Sequence, residues 1–497
     1  MLLSNVFAMI AAARQGGTGV SPVRRMRVIC MLCIIAAGAQ PAPADATHQA
    51  TGVKIGEVTP TSAIIWTRLT RDSARREDGV PRAGRPARPL GDELTVEDLE
   101  GACPGMAGRI RVRYGTRQNL ADAPTTEWVT VGAETDYTHQ FVLENLQPAT
   151  IHYFAVETTD LEGHPHAPLS GSFRTAPPPD RNVPVTFTVM TCQEYSRQDI
   201  PDGFAIYPSM AARKPDFLVA TGDNVYYDNF DPVATSVAVA RYHWDRIYSL
   251  PSLVEFHRHF PTYWEKDDHD TLWDDCWPGK RPEGAGSFTY EQGRQIFLEE
   301  VPMGAKTYRT FRWGKRLQIW LVEGRDYRSP NTDPGGPEKT IWGADQKRWL
   351  TETLLASDAD WKILISPTPI VGPDRPNKAD NHSNRAFAHE GSAFRKWVQQ
   401  NLPDNFFVIN GDRHWQYHSV HPTTGVHEFA CGPASDEHAS GSPGYDPNYH
   451  RFHRVEGGFL SVSVEPIAPP PPDGPASRIT FRHHDVAGEV VYTYSPN

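Results

Sequence analysis

Side chains able to bind metal ions stand at the ends of several apolar runs in this sequence of 497 residues. In "FLVATGDNVYY" a short apolar run ends at Gly222, and Asp223 and Tyr226 follow directly. The runs that lead into "TCQE" and "GDRHW" end in the same way, and "EKDDHD" adds further carboxylate and imidazole groups. The candidate ligands in these four segments are Cys192, Asp223, Tyr226, Asp268, His269, Asp412 and His414. This mixture of donors suits a cluster of two or more metal ions, in which hard oxygens fit Ca²⁺ or Fe³⁺ and thiolate and phenolate favour a trivalent or transition metal.

Each of these segments also has an ordinary structural explanation. A Gly-Asp pair after a strand is common in turns. The loop "CGPASDEHASG", which carries Asp436 and His438, is most simply a Gly/Ser-rich connection, with a place in the lining of the site as the alternative. Tyr226 and Tyr227 could be core aromatics, and Asp267, Asp270 and Asp275 could form a solvated charged run. The ordered combination of Gly-Asp, Asp-His and Gly-Asp-x-His, each after an apolar run or helix, is what favours a metal site.

Strands and helices alternate in residues 181–497, and these elements are expected to position the ligands. Short β-rich runs such as "VTFTVM", "LQIWL", "WKILIS" and "FFVIN" are separated by amphipathic helical stretches such as "GADQKRWLTETLLAS". This alternation predicts a layered α/β domain. The polar residues cluster at the carboxyl ends of the strands, where sheets of this kind hold their functional sites.

Residues 48–178 instead predict an all-β domain. "RIRVRYGT" alternates as a half-buried strand does, and "AIIWTRL" and "IHYFAVETTD" give further strands before a Pro-rich linker at 177–179. The pattern resembles a fibronectin type III or immunoglobulin-like sandwich. Residues 71–108 form a polar insertion, rich in Gly, Pro and Arg, that is predicted to be an irregular loop. The fold class is therefore expected to be α+β with two domains, 48–178 and 181–497.

The N-terminal region, residues 1–46, has the layout of a secretory signal peptide. A basic start precedes an apolar run at 28–37, and two A-x-A patterns follow in "APADA". The run is short for a bilayer span, with an uncleaved N-terminal anchor as the alternative. Residues 1–25 resemble an over-extended start, and Arg24 with Arg25 leaves a twin-arginine signal open. We therefore expect an exported protein, periplasmic or extracellular, without a stable membrane span.

The net charge, the hydrophobic fraction and the cysteines of the chain limit the kinds of function it can have. The net charge of −11 argues against broad nucleic-acid binding, which needs a basic surface, and the hydrophobic fraction of 39% is that of a folded globular protein. Four cysteines lie beyond the signal region, Cys103, Cys192, Cys276 and Cys431. In an oxidising compartment they are expected to form one or two disulfides. The sequence leaves their pairing and the oligomeric state open.

The order of the motifs "TCQEY", "GDNVYY", "DDHD", "GRDYR", "SPTPI" and "GDRHW" resembles that of the alkaline phosphatase D family. This family belongs to the wider metallophosphatase (calcineurin-like) superfamily, and the resemblance covers nearly all of the chain after residue 48. It implies an N-terminal fibronectin-like domain followed by a four-layer αββα catalytic domain. It also implies a cluster of Fe³⁺ and Ca²⁺, with other divalent metals as alternatives.

The resemblance implies a ligand for each matching position. Cys192 and Tyr226 match ligands to Fe³⁺, and Asp223 matches the aspartate that bridges iron and calcium. Asp412 and His414 match the Gly-Asp-x-His element, of which the aspartate is the firmer ligand. A metal-bound thiolate is protected from disulfide exchange, so Cys192 is not expected to pair.

Two segments depart from the pattern of the family. Asp268 and His269 match its Asp-Asp-His segment, after which an asparagine usually binds Ca²⁺. The matching place here is Asp274, which exchanges a neutral ligand for a charged one. Glu323 and Gly324 likewise stand where the family commonly has Asp-Thr.

These features predict a secreted metal-dependent phosphoesterase, of the alkaline phosphatase or phosphodiesterase type, in which a metal-activated water or oxide attacks phosphorus. His269 or His414 would protonate the leaving alkoxide or position phosphate, and Arg325 and Arg413 are candidate phosphate clamps. The alternative is a non-catalytic extracytoplasmic binding protein with a degenerate metal site, which the Asp274 departure keeps open. A metallophosphatase of nucleotides or sugar phosphates is disfavoured, because "TCQ" stands where Asp-x-His normally ends the opening strand.

Overall fold

The computed structural model of the protein describes residues 46–469 and 476–496. Residues 1–45, which carry the predicted signal, lie outside the described part of the chain. The described residues form twenty strands and six α-helices. None of those helices combines the length and apolar character that a membrane crossing needs.

Seven strands precede the Pro-rich linker, and the other strands and all described α-helices follow it. The first strands are β1 (Val53–Gly56), β2 (Ala63–Arg68), β3 (Gly108–Gly115), β4 (Val129–Val131), β5 (Thr138–Leu143), β6 (Ile151–Thr159) and β7 (Leu169–Arg174). The later strands are β8 (Val185–Met190), β9 (Phe217–Thr221), β10 (Thr262–Glu265), β11 (Arg309–Trp313), β12 (Leu317–Leu321), β13 (Trp361–Ser366), β14 (Phe406–Asn410), β15 (Gln416–Val420), β16 (His427–Cys431), β17 (His450–Arg454), β18 (Phe459–Pro466), β19 (Ser477–His484) and β20 (Val490–Tyr494). The helices are α1 (Ile206–Ala212), α2 (Val237–Tyr248), α3 (Pro251–His257), α4 (Tyr290–Glu300), α5 (Gly343–Ala356) and α6 (Ala388–Asn401).

Three sheets organise these strands. A nine-stranded sheet has the order β20-β19-β18-β8-β9-β10-β1-β2-β5, and β8, β9 and β10 run parallel in it. A seven-stranded sheet has the order β11-β12-β13-β14-β16-β15-β17, and β12, β13, β14 and β16 run parallel. The remaining N-terminal strands form a four-stranded sheet in the order β4-β3-β6-β7. Candidate ligands follow β8, β9 and β14 directly.

The N-terminal strands are divided between two sheets. β1 pairs in parallel with β10 at Gly56 and Thr262, and β2 and β5 continue the nine-stranded sheet outward. Three of the seven N-terminal strands thus extend the sheet that carries candidate ligands. Pairing along β10 satisfies backbone groups that an edge strand would otherwise expose. The insertion at 71–108 is irregular apart from a 3₁₀ turn at Val96–Asp98.

Strand β9 illustrates how the cores are built. Phe217 and Val219 lie in a core that contains residues of both large sheets, whereas Leu218 and Ala220 lie in a second core with residues of α1, α2, α3 and α4. This alternation is the two-residue period of a strand. A third core joins residues of the seven-stranded sheet to α5 and α6. All five residues of β9 are buried because both of its faces are covered.

The expected disulfides are absent among the described cysteines. All four of these cysteines are free and buried. The Cys276 thiol donates a hydrogen bond to the carbonyl oxygen of Asp268 at 3.6 Å, and that of Cys431 donates to Asn410 at 3.6 Å. The expectation of one or two disulfides is therefore wrong, because each thiol is packed among its own neighbours rather than against another cysteine.

Glu390, in the first turn of α6, ties that helix to two loops. Its carboxylate lies 2.9 Å from Nε2 of His382, accepts a hydrogen bond from the backbone of Ile341 at 2.6 Å, and pairs with Lys347 at 3.1 Å. Burial alone would raise the pKa of Glu390, but the hydrogen bonds from His382, Ile341 and Thr340 outweigh it and lower the pKa to about 2. The carboxylate should therefore stabilise the fold at neutral pH.

Replacing Glu390 with glutamine should lower the free energy of unfolding by about 2 kcal/mol near neutral pH, because charge-assisted hydrogen bonds are lost. The folded-state pKa is depressed from about 4.5 to about 2. The stabilisation by Glu390 is therefore fully present above the higher value and is lost as the pH falls through the lower one. Urea unfolding across this window measures both effects, with the exposed Glu352→Gln on α5 as the control. If the free energy of unfolding fell equally steeply with decreasing pH in wild type and in Glu390→Gln, the stabilising role of the Glu390 carboxylate would be contradicted.

Candidate metal centre

Three candidate ligands lie at sharp turns just beyond strand ends. Cys192, Asp223 and Asp412 follow β8, β9 and β14, and their backbones are left-handed, with φ of 55°, 54° and 62°. This conformation is unfavourable for residues other than glycine, and such strain concentrates at functional sites. Each turn redirects the chain at the carboxyl edge of a sheet, so the three side chains leave the strands in the same region.

Two glycines allow the sheet ends to approach each other. A Cβ on Gly222 would lie 2.7 Å from the Cβ of Asp267, and Gly222 has a φ of 80°. A Cβ on Gly411 would meet the carbonyl oxygen of Thr221, so β14 and β9 come together only because a side chain is missing there. The glycine of each Gly-Asp pair is thus required by the close approach, and the aspartate that follows faces the shared edge.

The first group of ligand atoms joins the two sheets. The Cys192 thiol donates to Oδ2 of Asp223 at 3.3 Å, and the Tyr226 hydroxyl donates to the same oxygen at 3.0 Å. The Tyr226 hydroxyl oxygen also lies 3.4 Å from Nε2 of His414. Ligand atoms of Cys192, Asp223 and His414 all lie within 4.8 Å of one another. A thiolate, a carboxylate, an imidazole and a phenol oxygen therefore converge on one point.

A second group shares Asp223 with the first. Ligand atoms of Asp223, Asp268 and His269 lie within 4.8 Å of one another, and all three residues are buried. Nδ1 of His269 lies 2.6 Å from Oδ1 of Asp228, and the backbone of Asp275 donates to Oδ2 of Asp268 at 2.6 Å. Asp223 is thus common to both groups of possible ligand atoms.

Two predicted ligands, Asp274 and Asp412, belong to neither of these two groups. The side chain of Asp274 is 62% exposed and pairs with Lys378 at 3.3 Å. With Asp268 and Asp275 it forms a further set of carboxylates within 4.8 Å. The Asp412 carboxylate contacts the guanidinium of Arg413 and belongs to none of the ligand groups found among the described residues.

The chemistry of the first group fits a bound cation. Oδ1 of Asp223 is buried and has no hydrogen-bond partner among the residues that the structure describes. Burial raises the pKa values of Asp223, Cys192 and Tyr226, and the negative charge of Asp223 raises the latter two further. Acidic groups packed in this way repel one another when ionised, and a cation among them would stabilise the ionised forms. Cys192, Asp223, Tyr226 and His414 therefore fit a transition-metal ion, and the carboxylates of Asp223 and Asp268 fit a second ion beside His269.

Arg325 lies beneath this centre rather than in an open cleft. Its guanidinium is fully buried, is hydrogen-bonded to Asp267 and lies 3.3 Å from Oδ2 of Asp268. Burial would raise the pKa of Asp268, but Arg325 and His269 outweigh it and lower the pKa. Arg413 is equally buried and pairs with Asp374 at 2.7 Å. These placements favour positioning roles for both arginines over direct contact with phosphate.

The two neighbouring tyrosines have different surroundings. Tyr226 faces the ligand group, whereas the Tyr227 hydroxyl accepts a hydrogen bond from the indole of Trp244 at 2.7 Å within the second core. Tyr227 is therefore a core aromatic, as the structural explanation for the tyrosine pair proposed. The charged-run explanation fails for Asp267 and Asp270, which are fully buried.

Sequence reasoning did not single out Asp228, and for the loop that carries His438 it favoured a plain connection over a place in the lining of the site. Asp228 accepts from the backbone of Asp274 at 2.8 Å as well as contacting His269. Nδ1 of His438 lies 3.1 Å from the carbonyl oxygen of Cys192, and its ring centroid is 4.1 Å from that of His414. Asp228 could have been found from the sequence, because it directly follows Tyr226 and Tyr227. For His438, no local pattern in the sequence indicated the contact.

Substituting Asp228 with asparagine should lower kcat for a phosphodiester about 10- to 100-fold, as the loss of groups that orient metal-centre ligands commonly does. The physical reason is that Asp228 fixes the ring of His269 through Nδ1. Steady-state kinetics would measure the effect, with Asp202→Asn on an exposed turn as the control. An unchanged kcat in a variant with the wild-type melting temperature would contradict the orienting role.

Two protein-family models match the sequence of this chain. A family model described as PhoD-like phosphatase matches residues 187–456, more than half of the chain. The chain belongs to the PhoD-like phosphatase family. A second family model, for the N-terminal domain of PhoD-like phosphatases, matches residues 36–177. The family predicted from the order of the motifs is thereby confirmed.

Relatives of this PhoD-like chain include alkaline phosphatase D of Bacillus subtilis (strain 168), which is 25% identical over 352 residues. That alignment covers 63% of this chain and 54% of the relative, so the chain spans about half the length of its curated relative. The solved structure of PhoD matches with a TM-score of 0.69 and 15% identity, over 91% of this chain and 90% of that one. Purple acid phosphatase PPD1 from yellow lupin (Lupinus luteus) seeds matches with a TM-score of 0.59 and 12% identity, over 89% of this chain and 73% of that one. At these identities the two structures show a shared fold.

Proposed function

We propose that this PhoD-like protein is a metal-dependent phosphoesterase that hydrolyses phosphate esters of the phosphodiester or monoester class. The observation that carries the proposal is the position of Asp223, whose carboxylate is common to two groups of buried ligand atoms. A carboxylate shared in this way can hold two cations side by side, which is the arrangement that two-metal phosphoester hydrolysis requires.

We assign the two ions by the chemistry of their donors. Cys192, Tyr226 and His414, with Asp223, would hold Fe³⁺, because thiolate and phenolate donors favour a trivalent or transition metal. Asp223 and Asp268 offer hard oxygen ligands that suit Ca²⁺. Asp274 and Asp275 extend the oxygen ligands toward the open side of the site, which supports Asp274 as a further Ca²⁺ ligand. Asp412 would need to leave Arg413 in order to join them.

A bound metal cluster would supply Lewis-acid catalysis by neutralising charge on the phosphoryl group and by making water acidic enough to attack phosphorus. The contribution of His269 follows from its contacts. Its Nδ1 faces Asp228, so Nε2 is the ring atom left to give a proton to the leaving oxygen. Nε2 also lies on the side of Asp274, whose side chain is largely exposed. His414 would then act as a ligand rather than as an acid.

The finer architecture and the location are part of the same proposal. The second and third cores, in which helices pack against the two large sheets, support a four-layer αββα catalytic part within 181–497. The N-terminal strands support a fibronectin-like or immunoglobulin-like origin for residues 48–178. The signal-like sequence at 1–46 supports export to the periplasm or beyond. The acidic net charge speaks against a nucleic-acid partner.

Hydrolysis of bis-p-nitrophenyl phosphate and p-nitrophenyl phosphate at alkaline pH tests the proposal. The chain from residue 47 onward would be assayed after loading with iron and calcium, after chelation, and after metals are restored. Activity that disappears with the chelator and returns with the metals is the expected result. Bound metal without hydrolysis of either ester would overturn the proposal and favour a binding protein with a degenerate centre.

A further inference from the structure

The Arg-rich insertion, residues 71–108, docks on the loop between β9 and α2. The backbone of Asp231 donates to the carbonyl oxygen of Gly84 at 3.2 Å, and the backbone of Val233 donates to that of Arg88 at 2.8 Å. The Asp231 side chain in turn accepts a hydrogen bond from the backbone of Arg88. The insertion is therefore held by paired backbone groups against the loop that also carries Tyr226 and its neighbours.

This docking places Arg85 at the rim of the candidate metal centre. The Arg85 guanidinium lies over the ring of Phe230, 4.2 Å from its centroid, and that of Arg197 lies 5.4 Å from the same ring. Arg197 belongs to the loop after β8, and its guanidinium is 3.8 Å from Glu437. Arg85 forms no ion pair with any carboxylate of residues 46–469 and 476–496. An exposed guanidinium fixed on an aromatic ring thus has its hydrogen-bond donors free for a ligand.

His438 connects this rim to the metal-ligand groups. Its ring centroid lies 5.3 Å from that of Tyr226 and 4.1 Å from that of His414. Glu437, whose carboxylate lies 3.8 Å from the Arg197 guanidinium, directly precedes His438 in the chain. His438 and the rim that carries Arg197 and Arg85 are therefore neighbours, and His438 contacts the proposed iron ligands.

We propose that Arg85 and Arg197, with Phe230 between them, bind a second phosphate group of the substrate, next to the ester that is cleaved. This inference rests on the proposed phosphoesterase function and names its preferred substrates as phosphate esters that carry a further phosphate. Guanidinium groups match phosphate oxygens through paired hydrogen bonds. Arg85 offers a guanidinium that forms no ion pair among the described residues, whereas Arg325 and Arg413 are buried against aspartates.

A matched pair of substrates tests the subsite. Thymidine 5′-(p-nitrophenyl phosphate) and its 3′-phosphorylated analogue share one scissile bond and differ by one phosphate. Wild-type protein should have a kcat/KM about 10-fold higher for the phosphorylated analogue, mainly because its KM is lower. A tenfold gain in affinity is what one good charge-assisted contact with the extra phosphate provides. Arg85→Gln should remove most of this preference and leave kcat/KM for the unphosphorylated ester within about twofold of wild type.

Arg71→Gln is the matched control, because it removes the same charge from the same insertion. Arg71 is exposed and pairs with Glu97 at 3.2 Å, so the preference should persist in this variant. Arg197→Gln should reduce the preference as Arg85→Gln does. A preference that survives Arg85→Gln, or a wild-type protein that has none, overturns the subsite.

Calorimetric titration keeps this test separate from that of the proposed function. Thymidine 3′,5′-bisphosphate should bind the metal-loaded protein about 10-fold more tightly than thymidine 5′-phosphate, and Arg85→Gln should abolish the difference. This result in a protein that hydrolyses neither ester would retain the subsite and reject the phosphoesterase. Equal affinities in an active enzyme would reject the subsite alone.

Discussion

Replacement of Asp223 by asparagine is expected to reduce kcat/KM for bis-p-nitrophenyl phosphate by about 10³-fold or more. The carboxylate is common to both ligand groups, and its Oδ1 accepts no hydrogen bond from residues 46–469 and 476–496. An amide of the same shape carries no charge and cannot hold two cations together. Lewis-acid stabilisation is worth several kcal/mol, and each 1.36 kcal/mol changes the rate about tenfold. Steady-state kinetics and elemental analysis of the same preparations would measure activity and bound metal.

Asp404→Asn is the matched control for this experiment. Asp404 is exposed and lies on the loop between α6 and β14, so its replacement should change neither metal content nor activity. A variant Asp223→Asn that retains both metals and more than a tenth of the activity would contradict the bridging role. The two-ion arrangement would then have to be built from other carboxylates.

Substitution of Tyr226 by phenylalanine is expected to remove the phenolate-to-iron charge-transfer band from the visible spectrum of the iron-loaded protein and to lower kcat about 10- to 100-fold. The phenol oxygen lies 3.0 Å from Asp223 and 3.4 Å from His414, within the group proposed to hold Fe³⁺. A phenolate bound to ferric iron absorbs visible light by charge transfer, and phenylalanine has no oxygen to bind. Absorption spectra and kinetics on the same metal-loaded sample would report both effects.

The adjacent tyrosine offers the control. Tyr227→Phe should keep the colour and the activity, because its hydroxyl contacts Trp244 in the core rather than the metal ligands. It should instead lower the free energy of unfolding by about 1–3 kcal/mol, since the indole N–H of Trp244 loses its buried acceptor. If both variants lose the colour, or if neither does, Tyr226 is not the iron ligand.

The N-terminal part of the chain supports the centre in two ways. Strand β1 pairs with β10, and the segment that carries Asp267, Asp268 and His269 follows β10 directly. The insertion at 71–108 holds the loop on the other side of the centre through Asp231. Removing residues before the Pro-rich linker would therefore expose an edge of the catalytic sheet and release one wall of the site.

Local sequence patterns predicted the elements well. The apolar runs at β8, β9, β12, β13 and β14 fall where strands form, and the amphipathic stretch before Ser357 forms α5. Burial on both faces explains why β9 is uniformly apolar. The Gly-Asp pairs were predictable as sharp turns, because glycine permits the close approach and aspartate tolerates a left-handed backbone. Patterns of this kind depend on neighbouring residues only.

The sequence by itself determined the strands, the turns and the kinds of ligand that stand at the strand ends, and the order of its motifs indicated the family. The tertiary structure alone decided which ligands share a point in space. It united Cys192 and Asp223 with His414, buried Arg325 against Asp267, and kept every described cysteine apart from the others. The physical reason is that strands and turns follow from side-chain periodicity and backbone sterics within a few residues. These contacts instead join residues far apart in the chain and depend on how the two large sheets pack face to face.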